Sequence, residues 1–155
     1  MRWLFVAFLV ASVLHMGEEY FFPGGFMGVM KRFNPRFAPY VTVRMAIVIN
    51  GLQLVLCTVA VFLNMGAPVF SMSVAGLLFI NGLMHLGACI RSRGYSPGVV
   101  TGTMLYIPLA VIGYYWLVEK GSLSAMDVLI TAGLGLFYQL LPISYLLLFS
   151  RMRNA

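Results

Sequence analysis

Four ionisable residues sit where few are expected, inside apolar stretches. His15-Met16-Gly17-Glu18-Glu19 lies towards the end of the first stretch, and Asn81-Gly82-Leu83-Met84-His85 lies within a later one. A helix brings residues three and four apart onto one face. His15 then shares a face with Glu18 and Glu19, and Asn81 shares one with His85. Two histidines and two carboxylates make a ligand set for one divalent ion, Zn²⁺ or Fe²⁺. A His₂Glu set with an open position is the pattern of catalytic zinc sites and of iron facial triads. The expected metal ligands are therefore His15, His85 and one or both of Glu18 and Glu19. The spare carboxylate, Glu18 or Glu19, would be the general base that activates water. Asn81 and Tyr95 would be supporting donors that orient a ligand or polarise a substrate oxygen. A metal-free alternative uses the glutamate pair, sharing one proton, as acid and base with His85 and Asn81. A ferritin-like di-iron site is a poor fit. It needs four carboxylates, and the other two acids, Glu119 and Asp127, fall at the opposite ends of their segments.

Composition says what must position these residues. Of the 155 residues, 61% are hydrophobic and 9% charged, against roughly 25% charged in soluble domains. So few charges cannot cover a soluble surface, whereas hydrocarbon accepts an apolar exterior. Five apolar runs, 3–22, 41–63, 70–90, 99–118 and 128–149, each come close to the ~20 residues that span a bilayer as a helix. The runs lack the alternation of a membrane barrel. The expected fold is all-α, an integral membrane bundle of about five transmembrane helices in a single domain covering residues 1–155. The first run carries a basic residue and resembles a signal peptide, but no cleavage site follows it, so it is read as a retained helix.

The net charge of +6 comes from small groups between the runs, which argues for membrane topology and against nucleic acid. With five spans, Lys31, Arg32, Arg36, Arg44, Arg91, Arg93, Arg151 and Arg153 share one side, and only Arg2 and Lys120 take the other. The positive-inside rule then places the amino terminus outside and the carboxyl terminus in the cytoplasm. Trp3 and Trp116 fall together at the outer interface. His15 and His85 fall at matching depths near the cytoplasmic side, close to the turn Tyr95-Ser96-Pro97-Gly98.

His-x-x-Glu-Glu at 15–19, Asn-x-x-x-His at 81–85 and Tyr-x-Pro-Gly at 95–98 resemble, in order, the motifs of the HXXEE-domain family of small bacterial integral membrane proteins. The resemblance implies that these residues form one site and a bacterial inner-membrane location. It implies no particular activity.

The remaining polar residues read as structural. Asn50, Gln53 and Gln139 suit helix–helix hydrogen bonds, with Asn50 the one whose depth matches Asn81. Arg44 reads as a topology charge. Cys57 and Cys89 read as packing residues. The segment 23–40 mixes Phe26, Met27, Met30, Phe33 and Phe37 with Lys31, Arg32 and Arg36, a composition suited to the headgroup layer and to a lid over the site. The expected function is a small membrane-embedded enzyme, metal-dependent and more hydrolytic than oxidative. It would act on an apolar or lipid-like substrate near the cytoplasmic leaflet, with membrane lipid as its surroundings. A metal-free isomerase or cyclase, a binding or transport protein, and a structural membrane subunit are the alternatives. Five spans without an internal repeat make a poor frame for alternating access.

Overall fold

A computed structural model of the chain describes residues 1–22, 25, 27–28 and 39–152. The basic residues Lys31, Arg32 and Arg36, and most of the segment read as a lid, lie outside the described residues. Five helices are long and apolar enough to cross a membrane. They are α1 (Arg2–Phe21), α2 (Val43–Leu63), α3 (Pro68–Ser92), α4 (Val99–Glu119) and α5 (Ala125–Met152). No strand occurs among the described residues. The five apolar runs thus mark the five helices, and the ends shift by only a few residues.

Local chemistry fixes several helix ends. Thr42 caps α2 by accepting from the Met45 N–H at 3.2 Å. Pro68 opens α3, where its missing N–H is no loss. Ser124 and Asp127 cap α5 reciprocally: the Ser124 N–H and hydroxyl donate to Asp127 Oδ2, and the Asp127 N–H donates to Ser124 Oγ. α4 starts beyond Gly98, widens into a π-helical turn over Gly102–Tyr106, and continues from Ile107. Pro108 accounts for the irregularity, because it cannot donate the regular bond back to Met104.

α3 is the central helix. Every residue from Ser71 to Leu78 is buried, as expected of a helix surrounded by others. It packs against α2, α4 and α5, while α1 lies between α2 and α4. Small residues permit the closest approaches: a Cβ on Gly76 would stand 2.7 Å from the Thr131 carbonyl oxygen of α5, and one on Gly82 would stand 2.8 Å from the Gly102 carbonyl oxygen of α4. Leu4, Phe5, Phe8, Cys57, Met72, Leu78, Ala110 and Leu117 form the core. Outward, Val13, Leu14, Ile47, Phe62, Ile112 and Leu129 are exposed, a surface that hydrocarbon satisfies and water does not. The helices alternate in direction, so the last turns of α1 and α3 meet the first turns of α2 and α4 at one end. Trp3 and Trp116 meet at the other, with ring centroids 5.5 Å apart and Lys120 over the Trp116 ring. Both cysteines are free, and Cys57 is buried at 3.3 Å from Ser12 Oγ.

Candidate metal centre

The site stands where α1, α3 and α4 converge, and its residues divide into two groups. The first is His15, Glu19 and His85, all buried, each offering one ligand atom, with the three atoms within 4.8 Å of one another. Glu19 Oε1 lies 3.2 Å from His85 Nε2 and 3.6 Å from His15 Nε2. The imidazoles meet edge to face, centroids 4.8 Å apart, and Tyr106 stacks on His15 at 4.5 Å. The π-helical turn is what carries Tyr106 into this position.

Glu18 belongs to the second group. Its Oε1 accepts from the Tyr95 hydroxyl at 2.8 Å and the Val100 N–H at 3.1 Å. Its Oε2 accepts from the Thr101 N–H at 2.7 Å and the Thr101 hydroxyl at 2.6 Å. The Val100 and Thr101 amides belong to the first turn of α4, so Glu18 is the anion at a helix N-terminus. The expectation that Glu18 serves as ligand or general base meets a different placement here. One residue of helix rotates the side chain by about 100°, which sends Glu18 to α4 and Glu19 to the histidines. Partial burial and then the adjacent Glu18 carboxylate raise the Tyr95 hydroxyl above the ordinary phenol range. Tyr95 therefore supports Glu18 and not the histidine cluster.

Thr101 joins the groups. Four donors leave both Glu18 oxygens as acceptors, so the single Thr101 hydroxyl hydrogen goes to Glu18. His15 Nδ1, 2.8 Å from Thr101 Oγ1, must then donate to it. In a neutral imidazole that assignment leaves a lone pair on Nε2. His15 Nε2 is buried without a hydrogen-bond partner and faces the Glu19 oxygen. Two electron-rich atoms held face to face in a buried site can share a proton or hold a metal ion, and the donor set fits either.

Gly98 closes the cluster. Its φ of +92° is strained for any residue with a side chain. A Cβ there would also lie 2.6 Å from His85 Cε1 and 2.8 Å from His15 Cε1. The Tyr-Ser-Pro-Gly turn thus reaches the centre through its glycine.

Asn81 does not bond the histidines or glutamates. It lines, with Glu19 and His85, a cleft of about 1120 Å³ between α2, α3 and α5, and its Oδ1 is buried without a partner. Asn50 donates to Glu19 Oε2 at 3.3 Å and to the Tyr20 hydroxyl at 3.1 Å. Gln53 donates to the Tyr106 hydroxyl at 2.7 Å and to Ser12 Oγ at 3.3 Å, the helix-to-helix bonding expected of it. Thr101 and Tyr106 were not singled out in the sequence. A threonine and a tyrosine in the first turns of an apolar helix carry no signal by type, although Thr101 stands only three residues beyond the Tyr-Ser-Pro-Gly turn.

Comparison with curated proteins and with solved structures finds no match. The family described as proteins of unknown function with an HXXEE motif matches residues 6–113, a span that contains all three motifs and every residue of the cluster. The chain belongs to this HXXEE family.

Proposed function

We propose that the protein is a membrane-embedded enzyme that holds one divalent ion, Zn²⁺ or Fe²⁺, on His15, Glu19 and His85. Its substrate is lipid-like. The observation that carries this reading is the unpartnered Nε2 of buried His15, aimed at Glu19 Oε1 and grouped with His85 Nε2. Three neutral or anionic donors supply the His₂Glu chemistry of hydrolytic zinc sites, where the bound ion acts as a Lewis acid and activates water. Glu18, through Thr101, fixes which nitrogen of His15 is left to bind, in the way that second partners orient metal-bound histidines. Asn50 holds the second oxygen of Glu19. Glu19 and His85 line the cleft, which offers the reacting atoms a way in. The eight-to-two bias of Lys and Arg supports a cytoplasmic-leaflet opening in a bacterial inner membrane.

A second reading is supported by the 3.2 Å contact of Glu19 with His85. A proton shared there would make an acid–base pair for isomerisation or cyclisation.

Elemental analysis separates the two. Purified wild type should carry about one zinc or iron per chain, as a single His₂Glu set can hold one ion, and folded His85→Ala should carry none. No metal in wild type, and none taken up from added Zn²⁺ or Fe²⁺, would refute the metal reading and favour the acid–base pair.

A further inference from the structure

The cleft beside Glu19 and His85 is far larger than an ion and a water molecule require. At about 1120 Å³ it lies just above the usual range of small-molecule sites, roughly 300–1,000 Å³. Its walls run along α2 from Arg44 to Leu56, along α3 from Leu77 to Ala88 and along α5 from Tyr138 to Tyr145. Eleven or twelve residues of helix rise about 16–18 Å, so the cleft extends over half the thickness of a hydrocarbon core.

Its chemistry is segregated along that length. Arg44, in the first turn of α2, is the one cation among the described residues that line it. Arg44 makes no ion pair with a described residue. Six residues deeper along α2, about 9 Å, comes the polar level of Asn50, Glu19 and His85. Ser96 lines the same cleft with 1% of its surface exposed and its hydroxyl without a partner, and the Asn81 carbonyl is likewise unpartnered. Beyond lie the apolar Leu52, Val55 and Leu56, and among them Gln53, whose amide is taken up by Ser12 and Tyr106. Along α2 the order is thus a cation in the first turn, polar groups about 9 Å deeper, and a mainly apolar wall beyond them.

We infer that the cleft binds one anionic phospholipid drawn from the surrounding bilayer. The phosphate pairs with Arg44, the glycerol ester lies at the level of Glu19 and His85, and an acyl chain runs past Leu52 and Val55. The order of groups in such a lipid is the order of groups in the cleft, and Arg44 supplies the charge complementarity. This inference rests on the proposed reactive centre only for its chemical consequence, hydrolysis of the acyl ester. In that reaction the hydroxyl of water adds to the acyl carbon, the bond from that carbon to the glycerol oxygen breaks, and the remaining proton goes to the glycerol oxygen. A fatty acid and a lysolipid result.

The test is native mass spectrometry of the full chain from mixed micelles, with a chelator present. The micelles contain phosphatidylglycerol and diacylglycerol of identical chains, which differ in the phosphate headgroup. Wild type should retain phosphatidylglycerol preferentially. Arg44→Gln should lose about tenfold in that preference, the scale of one hydrogen bond to a charged group. Leu52→Trp, at a site already 60% exposed, should reduce retention of both lipids by filling the cleft. Equal retention of the two lipids by wild type would overturn the inference, as would an unchanged preference in Arg44→Gln or unchanged retention in Leu52→Trp. Because the chelator removes any ion, these outcomes are independent of the metal reading. A protein that selects phosphatidylglycerol yet binds no Zn²⁺ keeps the lipid site and loses the ester chemistry.

Discussion

Replacing Thr101 with valine removes one hydroxyl and changes little else in shape. The hydroxyl is the acceptor for His15 Nδ1 at 2.8 Å and a donor to Glu18 Oε2 at 2.6 Å. Glu18 keeps three donors, from Tyr95, Val100 and the Thr101 N–H. His15 Nδ1 then loses its hydrogen-bond partner, so a buried N–H is left unpaired at a cost of about 1–3 kcal/mol. The ring also becomes free to present either nitrogen to the cluster. Loss of such an orienting partner costs about 10–100-fold in metal affinity, which is roughly 1.4–2.8 kcal/mol. Zn²⁺ titration of the detergent-purified protein against a competing chromogenic chelator reads this directly, and thermal melts of the metal-free protein read the stability loss. Thr101→Ser restores the hydroxyl and should restore most of both. Wild-type Zn²⁺ affinity in Thr101→Val would refute the reasoning that the Glu18–Thr101–His15 chain prepares the ligand. Failure of Thr101→Ser to recover would assign the effect to packing instead.

Gly98→Ala should abolish Zn²⁺ binding, because its Cβ would lie 2.6 Å from one imidazole and 2.8 Å from the other at a φ that alanine resists; binding within about twofold of wild type, under the ~10-fold scale of an orienting contact, would contradict the packing argument. Zn²⁺ affinity should fall steadily as pH is lowered, since imidazole must be deprotonated to bind; a pH-independent titration would count against histidine ligation. The Tyr95 hydroxyl is raised above its ordinary value, so its contribution to stability is complete below about pH 10 and is lost as pH rises through the folded value. Tyr95→Phe should flatten that alkaline loss in melts, and an unchanged alkaline profile would remove the Tyr95–Glu18 bond from the account. Gly135→Leu should destabilise the chain by about 1–3 kcal/mol or more through overpacking, because any side chain there meets the Gly76 and Leu77 backbone; an unchanged melting temperature would argue against the α3–α5 packing.

Much of the architecture was legible in the residues alone. Five runs of about 20 apolar residues, given the length a bilayer demands, specify five helices and nearly their ends. The i, i+3 and i+4 spacing brings His15 and Glu19 to one face, and the alternation of span directions brings His85 to the same level. Asn50 read as a helix–helix hydrogen-bonding residue at the depth of Asn81, and its bond to Glu19 came only with the structure. The disulfide-free reading of Cys57 and Cys89 followed from their apolar surroundings.

Other assignments needed neighbours that lie far away in the chain. Periodicity puts Glu18 and Glu19 on one broad face and cannot say which meets the histidines. That depends on α4 starting beside Glu18 and offering it two amides and a hydroxyl. The role of Gly98 depends on two imidazoles from different helices reaching one glycine. Arg44 reads as a topology charge until α5 is set opposite α2, which makes it the mouth of a cleft. The sequence determined the spans and the depth of each polar residue, because both follow from the rise and period of a single helix in hydrocarbon. Only the tertiary structure decided which polar atoms meet. That is set by the rotation of each helix about its axis and by the close glycine crossings, and these arise from packing between helices.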